Sequence, residues 1–242
     1  MSKLSDTIRK LHHSYCSVVV VAAGASTRMG KEKLLLEIDG KPVLALTLSA
    51  LQQSEHVDEI VVVTRPELFE AVGELRERYG LDKVTKLIVG GETRTESALA
   101  GVVAASKKAK IIAIHDGARP FVTDEVIADA VHYAVLYQAA APAVPLKDTV
   151  KIAEKGVVSE TPDRASLYAV QTPQAFHADI IKAALTKAVQ DGVAYTDDCG
   201  AAEALGCVVR LSRGDEDNIK ITTPADLVLA EAILEKRSGA QA

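Results

Sequence analysis

The chain is poor in aromatic residues: no tryptophan, six tyrosines and three phenylalanines among 242 residues, 4% in all. Platforms that stack nucleic-acid bases depend on such rings. A basic excess is lacking too. Lys and Arg number 28 against 33 Asp and Glu, for a formal net charge of −5, so a phosphate polymer finds no general basic face. Cysteine is scarce. Cys16, Cys199 and Cys207 are odd in number and have no Cys-x-x-Cys or Cys/His spacing. This argues against a disulfide framework or zinc cluster and fits a reducing compartment, hence a cytoplasmic protein. No apolar run approaches the roughly 18 residues that cross a bilayer. The first residues, MSKLSDTIRKLHHSYCS, lack the apolar centre of a secretory signal.

What the chain does contain is an α/β alternation. Hydrophobic residues make up 48% and charged residues 25%, a composition able to build a sizeable core. Short β-branched runs fall at 17–22, 59–64, 86–90, 110–115, 140–145 and 207–212. Such continuous apolar runs suit strands covered on both faces of a mostly parallel sheet. Helical patterns lie between them, at 43–53, 67–79, 95–107, 124–138, 178–190 and 224–237. Thr123 before Asp124 and Glu125 reads as an N-cap, and Pro224 as a first helical residue. The pattern predicts an α/β fold, a doubly wound sandwich. Residues 1–16 read as an N-terminal extension and 17–238 as a single domain. One segment breaks the alternation: 148–164 predicts two strands around Glu154-Lys155-Gly156. A two-stranded arm is marginal alone in water, so a second subunit is its natural support.

Five short blocks carry the chemistry. The first follows the first strand, where AAGASTRMG (22–30) is a turn of small residues holding Arg28, with Lys33 close behind. Small residues let backbone N–H groups approach a phosphate chain, and two cations then stand beside it. Neither GxxxxGK[ST] nor GxGxxG is present. The second is HDGARP (115–120), which puts Asp116 at a strand end, where phosphate-bound Mg²⁺ is held in α/β sheets. In the third, GGETRTES (90–97), two glycines precede a helix start. Thr93 and Glu96 form a capping box, and Ser97 could donate to a base. In the fourth, around 214–220, Asp215, Glu216 and Asp217 precede Lys220, set in the strand-like NIKIT. A lysine in such company needs an anionic partner, and Asp217 could join Asp116 on a metal. The fifth is the base of the arm, where Thr149 and Arg164 could grip a phosphate monoester.

Taken together, AAGASTRMG, HDGARP, PLKDTVK, TPQAF (172–176) and DNIKIT resemble the 2-C-methyl-D-erythritol 4-phosphate cytidylyltransferase family of the non-mevalonate isoprenoid pathway, over about residues 17–236. The resemblance implies a Rossmann-like three-layer α/β/α sandwich with a protruding two-stranded arm. It implies CMP transfer from CTP to methylerythritol phosphate with Mg²⁺ as cofactor. Arg28 and Lys33 would stabilise the transition state, with Lys220 as a further phosphate contact. Ala22, Ala23, Gly24, Gly91, Glu92, Ser97 and Gly117 would bind CTP. Arg119, Thr149 and Arg164 would bind the polyol phosphate, the arm crossing to the other subunit of a homodimer. Asp116 and Asp217 would hold the metal. The stretch after Arg28 is about two residues shorter than in many members, which leaves Lys31 beside Lys33 as a candidate. A ribitol-5-phosphate cytidylyltransferase is the alternative, sharing the CTP half. A dinucleotide-binding oxidoreductase would need GxGxxG and an acid ending the second strand, where this chain has Thr64-Arg65.

Overall fold

The computed structural model describes residues 14–24 and 32–239. Arg28 and Lys31 therefore lie outside the described residues. At the centre is β1 (Cys16–Val21), whose run of four valines has no polar face to turn to water. It pairs in parallel with β4 (Glu59–Thr64) on one edge and β6 (Ile111–Asp116) on the other. Every residue of β4 and β6 is buried. Beyond β4 lies β5 (Val84–Val89), also parallel.

The two faces of these strands separate two apolar layers. Val18, Val20, Ile60, Val62, Ile111 and Ala113 pack with α1 (Val43–Gln53), α2 (Phe69–Arg78), α4 (Asp124–Tyr137) and α7 (Pro224–Gly239). Val19, Val63, Ile112 and Ile114 point the other way, onto α3 (Arg94–Ala104), α5 (Ala178–Gln190) and α6 (Asp198–Ala204). The side-chain period of two along each strand is what requires helices on both sides. Thr123 caps α4 by accepting from the Val126 N–H, as its sequence implied. Thr93 and Glu96 make the full capping box on α3.

The far half of the sheet departs from the expectation. β7 (Ala139–Pro145) does not lie directly against β6. Between them runs an antiparallel strand, β11 (Gln174–His177), bonded to both, with β10 (Tyr168–Val170) continuing along β7. β12 (Arg210–Arg213) pairs with β7 in parallel. The sheet is thus mixed, with a mostly parallel core. Residues 168–177 gave no strand signal because Thr172-Pro173 interrupts them and only four or fewer residues pair on either side. α6 was also missed, being seven residues long and rich in small side chains. A small hairpin of β2 (Glu37–Ile38) and β3 (Lys41–Pro42) turns at Asp39 and Gly40.

The arm forms as anticipated. β8 (Ile152–Glu154) and β9 (Val157–Glu160) pair antiparallel in a sheet of their own. Lys155 and Gly156, both at positive φ, make the turn. All seven strand residues are exposed. Among the described residues, no helix is long and apolar enough to cross a membrane.

Candidate active site

Three strands of the parallel half of the sheet, β6, β1 and β5, with β4 between the last two, end on the same side. The chain leaves β1 at Ala22, β6 at Asp116 and β5 at Gly90. The crevice lies where connections depart to opposite sides of β1, the usual ligand position in such sheets. The loops are tied to one another by backbone bonds: Ala22 N–H to Val63 O at 2.7 Å, Gly90 N–H to Thr64 O at 2.9 Å and Gly117 N–H to Val21 O at 3.0 Å. A cavity of about 320 Å³ opens there, within the size of small-ligand sites. Its lining includes Ala22, Ala23 and Gly24 from the first loop, and Gly91, Glu92 and Ser97 from the third block. Asp116, Gly117, Lys33 and Lys220 line it too. Ten residues singled out from sequence, from Ala22 to Lys220, are thereby brought together.

Ser97 sits under the third-block turn. Its hydroxyl donates to Thr93 O at 2.9 Å and accepts from the Gly91 N–H at 3.1 Å. Gly90, the first of the two glycines of GGETRTES, makes the turn fit: a Cβ there would stand 2.5 Å from Ala23 Cβ and 2.8 Å from Ser97 Oγ. The loop after β1 and the turn after β5 touch only because that side chain is absent.

Asp116 is the electrostatic centre. Lys220 Nζ lies 2.9 Å from its Oδ2 and Arg119 Nε 3.3 Å from the same oxygen. Arg94 Nη2 stands 3.9 Å from Oδ1. Burial opposes the charge of Asp116, yet Lys220, Arg94 and Arg119 outweigh it and bring the carboxyl down to about 2. Lys220 is carried not by a strand, as NIKIT suggested, but by a segment without regular secondary structure. That segment is pinned by Ile221 N–H to Ala118 O at 2.8 Å and by the buried Asn218, whose amide donates to Thr172 O at 3.0 Å.

Behind Asp116 is a chain of bonds that sequence did not disclose. The Asp116 N–H donates to Thr172 Oγ1 at 3.1 Å, and that hydroxyl is 3.0 Å from His115 Nδ1. The hydroxyl therefore gives its proton to Nδ1, and His115 Nε2–H donates to Arg119 O at 3.2 Å. His115 is neutral in this arrangement, and burial pushes its pKa down to about 4 against the pull of Asp116. TPQAF (172–176) supplies Thr172, and the motif thus braces the strand end carrying Asp116.

Other expected residues lie apart. Arg119 does not line the cavity; it bridges Asp116 and the Asn218 carbonyl, the latter at 2.7 Å. Asp217, expected as a second metal ligand, is not brought to Asp116: it binds Lys236 Nζ at 2.9 Å, because the turn 215–218 directs its carboxylate toward α7. Thr149 and Arg164 are exposed at the base of the arm, where Arg164 donates to Lys147 O at 2.9 Å. Neither lines the cavity of its own chain. Arg94 and Asp198 are present at the site without having been singled out as its residues. Arg94 was visible in GGETRTES, and an acid opening the apolar run DCGAA was a signal for Asp198.

Among the described residues no three His, Cys, Asp or Glu gather as a metal cage. The donor chemistry of one strand-end carboxylate, in a cavity that Lys33 and Lys220 also line, fits Mg²⁺ carried in with a triphosphate, an ion that takes few protein ligands.

Comparisons with known proteins give the family and the fold. The family model described as 2-C-methyl-D-erythritol 4-phosphate cytidylyltransferase matches residues 16–236. The protein of that name from Caldanaerobacter subterraneus subsp. tengcongensis is 48% identical over 224 residues, spanning 91% of this chain and 99% of its own. The one from Clostridium botulinum (strain Okra) is 44% identical, spanning 91% and 97%. Among solved structures, 4-diphosphocytidyl-2C-methyl-D-erythritol synthase from Anaerococcus prevotii superposes with a TM-score of 0.83 at 31% identity, over 92% of this chain and 97% of that one. The Thermus thermophilus cytidylyltransferase gives 0.74 at 32%, over 90% and 98%.

Proposed function

On the premise that the chain belongs to the 2-C-methyl-D-erythritol 4-phosphate cytidylyltransferase family, we propose how its cavity performs the reaction. The chain is a nucleotidyltransferase of isoprenoid precursor biosynthesis. It transfers CMP from CTP to 2-C-methyl-D-erythritol 4-phosphate, giving 4-diphosphocytidyl-2-C-methyl-D-erythritol and pyrophosphate. The carrying observation is the convergence of loop 22–24, the 90–97 turn, Asp116 and Lys220 on one cavity. The ribitol-5-phosphate alternative is not favoured by the relatives.

The bond made joins a phosphate oxygen of the acceptor to the α-phosphorus of CTP, and the bond broken is the one to the pyrophosphate oxygen. The acceptor phosphate is already anionic near neutrality, its second pKa lying near 6, so no general base is required. This chain positions two anions and offsets their charge. Lys33 and Lys220 are the cavity lysines for that task, with Arg28 proposed beside them. Ala22, Ala23 and Gly24 present backbone to the triphosphate, while Gly91, Glu92 and Ser97 face the cytidine. Asp116 would hold Mg²⁺, which when bound neutralises phosphate charge.

The acceptor phosphate is gripped by Thr149 and Arg164 of a second copy, with Arg119 behind Asp116 as its support. The reading rests on the arm: Ile152, Val157 and Val158 expose 49%, 71% and 54% of their surface on a hairpin that cannot bury them itself. The homodimer works in the cytoplasm, a compartment suited to two buried cysteines in reduced form. Pyrophosphate release from CTP is the direct test, with methylerythritol phosphate and ribitol 5-phosphate supplied in parallel. Release with the first and little with the second is expected; the reverse would overturn the acceptor assignment.

A further inference from the structure

Arg94 opens α3 and Asp198 opens α6, on elements 104 residues apart in sequence. Their side chains meet in a fork: Nη1 to Oδ1 at 2.9 Å and Nη2 to Oδ2 at 2.7 Å. Asp198 is 1% exposed, so its carboxylate meets the guanidinium from the protein interior, with little water to compete for it. Its place is set from β11. Gln174 Oε1 accepts the N–H groups of Asp198 and Cys199, both at 3.0 Å, and Gln174 Nε2 donates to Asp197 Oδ2 at 2.9 Å. Gln174 in turn pairs in register with Ile114, two residues before Asp116. The position of Asp198 is thus measured off the same strand that carries Asp116.

Arg94 also lines the cavity. Its Nη2 points past Asp198 toward Asp116 Oδ1 but stops 3.9 Å away, beyond hydrogen-bond reach. The other oxygen, Oδ2, is taken by Lys220 and Arg119. A guanidinium without a competing carboxylate would close on the second oxygen and cap Asp116 entirely, since forked pairing with a carboxylate is its favoured geometry.

We infer that Asp198 and Arg94 are a positioning pair for Asp116: Asp198 holds the guanidinium off Oδ1, so that this oxygen stays open to a divalent cation arriving with the nucleoside triphosphate. The inference rests on the reading of Asp116 as the metal carboxylate. It gives Gln174 of TPQAF a role as the strut that sets the pair. Residues that orient a metal ligand in this way change metal affinity by about 10- to 100-fold when altered.

The experiment measures, by calorimetry on the full chain, the factor by which Mg²⁺ tightens CTP binding. Asp198→Asn is expected to shrink that factor at least about tenfold, while CTP binding without metal changes less than about threefold. The double variant Asp198→Asn/Arg94→Gln removes the guanidinium that would cap Asp116 and is expected to recover the factor to within about threefold of the parent. It also leaves two amides in place of a buried unpaired cation, so it remains measurable if Asp198→Asn alone does not fold. An unchanged factor in Asp198→Asn, or a double variant still about tenfold below the parent, overturns the inference. Asp116→Asn separates the two levels. If it keeps the Mg²⁺ effect, or if the parent shows none, the metal reading of Asp116 falls and the pair's role falls with it.

Discussion

At the scale of the residue, Asp116 and its neighbours show how a charge is kept in a buried place. Lys220 reaches its carboxylate from a segment about a hundred residues away, and without it the cavity would lose a cation and Asp116 a partner at 2.9 Å. Lys220→Ala should lower kcat by about 100- to 1,000-fold, the scale of removing one preorganised charge-stabilising donor; steady-state pyrophosphate release measures it. His115 makes a prediction about stability. Its folded pKa of about 4 lies below the ordinary 6.5 because it is buried. Above about pH 6.5 neither folded nor unfolded chain protonates it. As the pH falls toward 4 only the unfolded chain does, so the fold loses up to about 3 kcal/mol over that window. Urea midpoints between pH 8 and pH 5 should show this slope, and His115→Gln should flatten it while starting from a lower stability at pH 8. The place of Asp116 at a strand end was legible from the β-branched run before it. The neutral state of His115 was not, because it depends on complete burial, which only the packed fold imposes.

At the scale of the element, periodicity located helices well. The predicted 43–53 and 178–190 coincide with α1 and α5, and the continuous valine runs located β1 and β4. Those signals are strong because each element buries its own apolar residues against the sheet. α3 shows how tight that contact becomes. A Cβ on Gly101 would stand 2.2 Å from Val19 Cγ1 and 2.7 Å from Val63 Cγ2, so Gly101→Ala must push the helix off β1 and β4. A loss of about 1–3 kcal/mol is expected, read as a lowered urea midpoint. Because α3 begins at the cavity, the same variant should also raise KM for CTP. What periodicity missed were β10, β11 and α6, which are too short to carry a period and owe their conformation to neighbours: β11 to β6 and β7, α6 to Gln174.

At the scale of the whole molecule, the separation of Thr149 and Arg164 from the cavity of their own chain carries the largest consequence. If the arm serves a second copy, Arg164→Ala and Lys220→Ala damage different halves of a shared site. Each alone should be nearly inactive. Unfolded and refolded together in equal amounts, they should recover about a quarter of the parent rate, because half the dimers are mixed and each mixed dimer holds one intact site. No recovery would place both residues in the same chain's site. By itself the sequence determined the sheet's parallel core, the helices that cover it, the strand-end cavity and the arm. Those depend on local pattern: runs of β-branched residues, capping signals, turn residues and small side chains where a loop must come close. Only the tertiary structure decided that β11 enters between β6 and β7, that Asp217 turns to Lys236, and that Arg94 is held by Asp198 beside Asp116. Each of these is a pairing across long stretches of chain, and a side chain's partner at such separation is set by where the packed elements leave it, not by the residues on either side of it.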